Sequence, residues 1–194
     1  MSAATRIATA AERIRSAFAD VPYPGDDDIG QRVLGSRSYN CLESRNVAEF
    51  FAGRAWAEIN WDVLWHEYDG QASACTSFMT HAAFRYYLPA YMLMALQGID
   101  VVDTLATSVV QDLIPGMFPD SGGADDDGRF GRNIRALTLS QRAAVALFLL
   151  AMQEAYGPDL TFDEEDSPLR GLRDYWGQFL AEEDRHLIEH MLTT

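Results

Sequence analysis

The chain has 194 residues, 48% of them hydrophobic and 11% aromatic, which is enough apolar material for one buried core and too much for a disordered chain. Its formal net charge is −14 at pH 7, so it lacks the basic surface that binding to nucleic acid or to anionic lipid requires. All 15 basic residues are arginine, which excludes the enzyme classes that depend on a phosphate-binding or Schiff-base lysine.

The N-terminal segment predicts an amphipathic helix over residues 3–20. Apolar residues recur there at helical spacing, at Ile7, Ala11, Ile14 and Phe18. Pro22, Pro24 and Gly25 are expected to end this helix. The polar stretch over residues 26–42 shows no clear period and predicts a loop with one short turn.

Two short helices are predicted next. The first is expected to begin near Asn46 and to stop at Gly53. The second is capped by Asn60, because an Asn side chain can accept a hydrogen bond from the first turn. Its apolar and aromatic residues are Trp61, Leu64, Trp65 and Tyr68.

The segment from Thr80 to Leu96 is apolar nearly all round, so it predicts a buried central helix rich in Tyr, Leu and Met. Pro89 is expected to kink or restart this helix, because proline has no amide hydrogen to donate. Tyr86, Tyr87 and Tyr91 have two interpretations, namely packing in the core or lining a ligand pocket.

The second half of the chain continues the helical pattern. A helix capped by Asp100 is expected to run to Leu113, and residues 115–136, rich in Gly and Asp, predict the longest loop. A capping box at Thr138 and Gln141 opens a helix with a clear apolar stripe. Its predicted end is at 157–158, a Gly-Pro pair.

A last helix is predicted to start at Ser167-Pro168 and to form a C-terminal helical extension over residues 167–192. No strand pair is apparent anywhere. The sequence therefore predicts an all-α protein, a single compact multi-helix domain over residues 1–194.

Cys41 and Cys75 are the two cysteines, and they have no metal-ligand spacing, so free thiols in a reducing compartment are expected. The start of the chain lacks the features of a secretory signal. The longest apolar run, residues 86–96, is about half of a membrane-spanning length. We therefore expect a cytoplasmic protein.

Two patterns near the C-terminus suggest metal chemistry. His186 and His190 lie four residues apart on a predicted helix and resemble a zinc-binding pair, with Glu189 between them as a base. Glu183 and His186 match one half of a di-iron site. Both sites need further ligands that the sequence does not supply, so a solvated helix is the favoured interpretation, and no metal or cofactor is expected.

Two other groups of reactive residues are incomplete. His66, Glu67 and Asp69 gather near two tryptophans, and His81 follows Cys75 by six residues, but neither group has an activating context. The run Asp125, Asp126 and Asp127 lacks the ligand order of a calcium loop. Arg129, Arg132 and Arg135 follow it and are interpreted as neutralising the neighbouring acids.

Several segments resemble, in the same order, a bacterial family of uncharacterised proteins. Its signature is similar to Phe84-Arg85-Tyr86-Tyr87-Leu88-Pro89-Ala90-Tyr91, and its other motifs are similar to residues 17–26, residues 51–56 and the helix over residues 137–149. The resemblance covers about residues 14–156. It implies a compact bacterial domain and no particular reaction, partner or site residue.

The first functional hypothesis is a non-enzymatic protein-binding module, most concretely an immunity or antitoxin-type protein that neutralises a basic toxin. Opposite charges speed and orient such an encounter. The residues predicted to contact the partner are the acidic groups Asp26, Asp27, Asp28, Asp125, Asp126, Asp127, Glu164, Glu165 and Asp166. The competing interpretation is that these charges only keep the protein soluble.

Two alternatives stay open. A metal-binding protein or hydrolase would use His66 and Glu67 together with Glu183, His186 and His190, and would need separate helices to meet. A homo-oligomeric structural module would use the many Trp and Tyr residues as an apolar interface.

Overall fold

A computed structural model describes residues 1–31, 42–102, 104–117, 128–160 and 167–193. Within these ranges the regular structure is helical, and the single exception is an isolated antiparallel bridge between Gly30 and Met79. The prediction of an all-α domain is confirmed. The α-helices are α1 Ala3–Phe18, α2 Leu42–Phe51, α3 Trp61–Glu67, α4 His81–Ala95, α5 Ile99–Val102, α6 Thr104–Asp112, α7 Gly128–Arg135, α8 Leu139–Leu160, α9 Pro168–Asp174 and α10 Glu182–Met191.

Short 3₁₀ segments connect several of these helices, at Asp26–Asp28, Trp56–Glu58, Ala72–Phe78 and Trp176–Phe179. The segment Ala72–Phe78 packs on both α2 and α6, and so connects these two helices. It also carries Cys75, which is fully buried.

Helix α4 lies at the centre of the fold, as predicted. It begins at Thr80, whose hydroxyl accepts a hydrogen bond from the Ala83 amide at 3.1 Å, and most of its side chains are buried. Pro89 lies inside α4, and the helix continues past it without restarting. The proline removes one backbone hydrogen bond, while the enclosed apolar side chains on every face hold the helix together.

Helices α1 and α8 pack closely along each other beside α4. Ala10, Ile14 and Phe18 form the buried stripe of α1 and are inaccessible to solvent. The predicted capping box at the start of α8 is confirmed, because Thr138 and Gln141 each accept a hydrogen bond from the other's amide.

The structure corrects three predicted helix boundaries. Helix α2 begins at Leu42, four residues before Asn46, because Ser44 adds a further buried position to its inner face. Helix α5 begins at Ile99, so Asp100 lies inside its first turn after a left-handed Gly98 with φ of 96°. Helix α8 continues through the predicted stop at 157–158 as far as Leu160.

The predicted loop over residues 115–136 contains a helix, α7. Ile134 is 3% exposed, and the ring of Phe130 packs edge-on against Tyr175 with ring centroids 5.3 Å apart. Phe130 therefore contacts the C-terminal part of the chain, and α7 also packs on α4. Gly and Asp have low helix propensity, so the composition predicted a loop here. Tertiary packing nevertheless stabilises an amphipathic helix.

The C-terminal extension is not one helix. It starts at the predicted cap, Ser167, but the backbone leaves the helical conformation at Tyr175, with φ of −149°, and α10 begins only at Glu182. The break inserts Trp176 into the core, where its indole N–H donates to the Leu113 carbonyl at 2.6 Å.

Candidate functional site

The candidate site is built around α3. Asn60 caps this helix as predicted, because its side-chain oxygen accepts a hydrogen bond from the Val63 amide at 3.1 Å. The positions i, i+3 and i+4 then share one face of the helix, which places Trp61, Leu64 and Trp65 together. Leu64 is 1% exposed and anchors the helix, whereas Trp65 is 66% exposed.

A cleft of about 340 Å³ opens between α3, the turn that follows it and the beginning of α6. None of the residues that line it is charged. Aromatic and aliphatic side chains form one part of the lining, and short polar side chains form another. The lining residues are Trp61, Leu64, Trp65, Tyr68, Gly70, Gln71, Ala72, Ser73, Thr104 and Leu105.

The two tryptophans form one continuous aromatic wall. Their ring centroids are 5.4 Å apart, with 35° between the ring planes. Because this spacing is that of rings already in contact, a third flat group cannot enter between them and would have to lie on their outer faces.

Tyr68 forms another wall of the cleft and depends on Gly70 for its position. A Cβ atom at Gly70 would lie 2.8 to 2.9 Å from the outer atoms of the Tyr68 ring, which is closer than real Cβ atoms approach. The ring also packs edge-on against Phe50, with centroids 5.2 Å apart. A glycine at position 70 therefore allows the tyrosine to fold back over the backbone.

A polar cluster lies behind Tyr68. Burial raises the pKa of the Cys75 thiol, and the neighbouring hydroxyls of Tyr91 and Tyr68 lower it to a smaller extent. Burial likewise raises the pKa of Tyr91 well above its usual range. Cys75 is therefore a neutral thiol at pH 7, without the thiolate that nucleophilic catalysis requires. Close to this cluster, Thr76 donates to the Asp112 carboxylate at 2.5 Å.

Acidic residues adjoin the lining residues of the cleft in the sequence. Asp62 lies on α3 between the two tryptophans, and Asp69 lies between Tyr68 and Gly70; both are exposed. Glu67, also on α3, pairs with Arg54 at 2.8 Å. The cleft is thus uncharged inside, and exposed carboxylates flank its lining residues along the chain.

Only part of the predicted acidic contact surface falls on the described residues. Asp26, Asp27 and Asp28 form an exposed 3₁₀ turn. Asp26 has a structural role there: hydrogen bonds from the Tyr23 hydroxyl and from the Gly53 amide lower its pKa. Asp125, Asp126 and Asp127, and Glu164, Glu165 and Asp166, lie outside the described residues.

The histidines lie in separate environments. His66 is exposed on α3, and the ring nitrogen of His81 lies 2.6 Å from the Asn133 side-chain oxygen rather than against Cys75. His186 is exposed on α10, 3.3 Å from Glu189 and 3.9 Å from Glu182.

His190 and Glu183 are also exposed on α10. In the part of the chain that the structure describes, no three or more His, Cys, Asp or Glu side chains are grouped so that they could hold a metal ion.

The sequence indicated only part of the cleft. It placed Trp61 and Trp65 on one helix, but beside His66 and Glu67 as a chemical group and not as walls of a cleft. Gln71, Ser73 and Thr104 gave no signal, because their role arises from the packing of the Ala72–Phe78 segment on α6. Tyr86, Tyr87 and Tyr91 are buried core residues and do not line this cleft.

No described helix combines the length and the apolar character needed to cross a membrane. The fold and the site together define an all-α domain with a small, uncharged, tryptophan-walled cleft. The chain belongs to a family of unknown function (DUF6714), which it matches over residues 8–180. This range is wider than the residues 14–156 over which the sequence motifs showed a resemblance, and it includes α9. Neither the curated proteins nor the solved structures contain a match.

Proposed function

We propose that this protein is a non-enzymatic binding module that engages a basic partner protein through the acidic surface around the tryptophan-walled cleft. One observation carries the proposal: Trp65 is 66% exposed at a cleft whose lining is flanked by carboxylates, on a chain with a net charge of −14. Exposed tryptophans at concave sites are characteristic anchors of protein interfaces. An immunity or antitoxin role in the bacterial cytoplasm, against a basic toxin, is the concrete form of this proposal.

The charge distribution supports the same function. Exposed acids occur on the turn Asp26–Asp28 as well as at Asp62 and Asp69, which are adjacent in sequence to lining residues of the cleft, so the negative charge is not confined to one segment. Such a field attracts and orients a basic partner before contact, while the buried aromatic contact determines how long the complex lasts. The neutral Cys75 thiol favours binding over nucleophilic catalysis.

Affinity purification from the native host tests the proposal with three matched baits. These are the wild-type chain, Trp65→Ala, and the double variant Asp27→Asn/Asp28→Asn, which leaves the structural Asp26 intact. We expect a net positive protein that the wild type enriches and that Trp65→Ala loses. We expect the double variant to retain it at low salt and to release it at lower salt than the wild type.

A partner without excess positive charge, or one that Trp65→Ala retains fully, would contradict the proposal. Metal analysis of untagged protein provides an independent check. Stoichiometric zinc or iron would favour the metal-binding alternative instead. Light scattering of the purified chain distinguishes the homo-oligomeric alternative, because that alternative requires a stable complex without any second protein.

A further inference from the structure

The tryptophan-walled cleft differs from the rest of the acidic surface in one respect: it can select among basic side chains. A negative surface alone attracts lysine and arginine equally, because both carry one positive charge. An exposed indole face discriminates between them. The planar guanidinium of arginine stacks on an aromatic ring and is weakly hydrated, whereas the ammonium of lysine is a strongly hydrated point charge.

The position of Trp65 suits such stacking. The Trp65 ring contacts Trp61 on one side and is otherwise largely exposed. An incoming group can therefore reach the exposed part of the Trp65 ring. Asp62 is exposed on the same helix, and Asp69 is exposed in the turn that closes the cleft. A guanidinium on Trp65 would keep its edge free to donate hydrogen bonds to an acceptor such as Asp62, which precedes Trp65 by three residues on α3 and therefore lies next to it on the helix surface.

The interior of the cleft suits an uncharged group rather than a cation, because none of its lining residues is charged. Leu64 and Leu105 line the cleft but are each 1% exposed, so its accessible apolar surface comes mainly from Trp61, Trp65 and Tyr68. Ser73, Gln71 and Thr104 supply neutral hydrogen-bonding groups. No lining residue can neutralise a charge inside. A volume of about 340 Å³ is at the small end of ligand pockets and suits one or two side chains of a peptide.

We infer that the tryptophan-walled cleft docks a segment of the partner in which an arginine stands next to an apolar residue, with the guanidinium on Trp65 and the apolar side chain against the accessible parts of Trp61 and Tyr68. The inference rests on the proposed function and specifies the partner's contact chemistry. A neutral small molecule and a second copy of this chain are the other candidate occupants, and the experiment distinguishes them.

Three capped synthetic nonapeptides of equal length serve as probes, with alternating Arg-Leu, Lys-Leu and Glu-Leu sequences. Intrinsic tryptophan fluorescence reports binding, and isothermal titration calorimetry measures the dissociation constants. We expect the Arg-Leu peptide to bind roughly twofold to fivefold more tightly than the Lys-Leu peptide of equal charge, which is the size of the contribution from one cation stacked on an exposed ring. We expect the Glu-Leu peptide not to bind.

Variants locate the binding. Trp65→Ala should remove the preference for arginine over lysine, while Trp56→Phe, which lies outside the cleft, should keep it. Gly70→Ala should weaken binding of the Arg-Leu peptide, because the new Cβ must displace the Tyr68 ring. Circular dichroism verifies that each variant is folded, and Trp65 is a safe position to truncate because it is mostly exposed.

Equal affinities for the Arg-Leu and Lys-Leu peptides, or an arginine preference that survives Trp65→Ala, would overturn the inference. It would also be overturned by a fluorescence change caused by neutral aromatic compounds alone, or by concentration-dependent dimerisation that Trp65→Ala abolishes. These failures leave the proposed function intact if the affinity purification still recovers a basic partner. The absence of any basic partner would contradict the proposed function itself.

Discussion

Two neighbouring tyrosines of α4 show how much a buried hydroxyl depends on its surroundings. Tyr87 and Tyr91 are both inaccessible to solvent. The Tyr87 hydroxyl lies 2.8 Å from the Phe51 carbonyl and 2.9 Å from the Arg54 carbonyl, and its one proton is shared between these two acceptors. The Tyr91 hydroxyl lies beside Cys75 but makes no hydrogen bond of ordinary geometry to a described residue. The sequence cannot distinguish these environments, because both residues occur at apolar positions of one helix.

We therefore expect opposite results from the same substitution at the two positions. Tyr87→Phe should lower the free energy of unfolding by about 1–2 kcal/mol, because two carbonyl groups lose their donor. Tyr91→Phe should change it by less than about 0.5 kcal/mol or raise it, because the hydroxyl that is lost was buried without a good partner. Urea unfolding at pH 7 measures both, and the paired variants serve as each other's control. A larger loss for Tyr91→Phe would show that its hydroxyl has a partner, such as a buried water.

At the scale of elements, a buried arginine ties three helices together. Arg6 on α1 is 4% exposed, donates from its Nε to Glu154 on α8, and donates from Nη1 to Asp184 on α10 at 2.7 Å. Burial lowers the pKa of Arg6, but the hydrogen bonds to Asp184 and Glu154 outweigh it, and the net shift is upward. Arg6 and Asp184 both lie outside the residues that the family model matches, whereas Glu154 lies inside them. This three-residue ion-pair cluster, called the Arg6 clasp, therefore links α10 to the matched part of the fold.

Removing this arginine should destabilise the protein substantially. Arg6→Met is expected to lower the free energy of unfolding by about 3 kcal/mol, because Glu154 and Asp184 would be left partly buried without their counterion. The matched control is Arg173→Met at an exposed ion pair, with an expected loss below about 1 kcal/mol. Adding Asp184→Asn to Arg6→Met should restore part of the loss. Equal effects of Arg6→Met and Arg173→Met in urea unfolding would show that the clasp contributes little.

The C-terminal region shows why a pattern of apolar residues does not fix a continuous helix. Leu172, Trp176 and Leu180 are spaced as on one helix face, and all three are buried. They are buried in a chain whose helix breaks at Tyr175 and in which the Trp176 indole N–H donates to the Leu113 carbonyl. Periodicity reports which residues are buried, whereas the path of the backbone depends on the distant elements that receive them.

On the scale of the whole molecule, the net charge of −14 and the tryptophan-walled cleft have separable effects on binding. A field produced by many dispersed charges acts mainly on the association rate, and it is screened when the Debye length falls below the distance between the partners. Contacts with buried aromatic groups act mainly on the dissociation rate. The proposed function therefore predicts a characteristic kinetic signature.

For the Arg-Leu nonapeptide, raising the ionic strength from about 0.02 M to about 0.5 M should lower the association rate constant by roughly tenfold or more. The dissociation rate constant should change much less. Trp65→Ala should instead raise the dissociation rate constant and leave the salt dependence of association unchanged. Stopped-flow fluorescence or surface plasmon resonance measures both constants. If salt changed chiefly the dissociation rate constant, the result would contradict long-range electrostatic steering of the peptide.

The sequence by itself determined the all-α class, the position of the buried central helix and several helix caps. Thr80, Asn60, Ser167 and the Thr138–Gln141 capping box are local signals, because a cap satisfies backbone groups within its own first turn. Periodicity of apolar residues is also local, so it located α1 and α4 correctly.

Only the tertiary structure decided the rest. It produced α7 in a predicted loop, the break at Tyr175, the Arg6 clasp and the cleft that joins Trp65 to Thr104. Each of these depends on groups that are distant in the chain and meet only after packing. Their partners are chosen by the shape and hydrogen-bonding needs of the assembled core, which no single segment encodes.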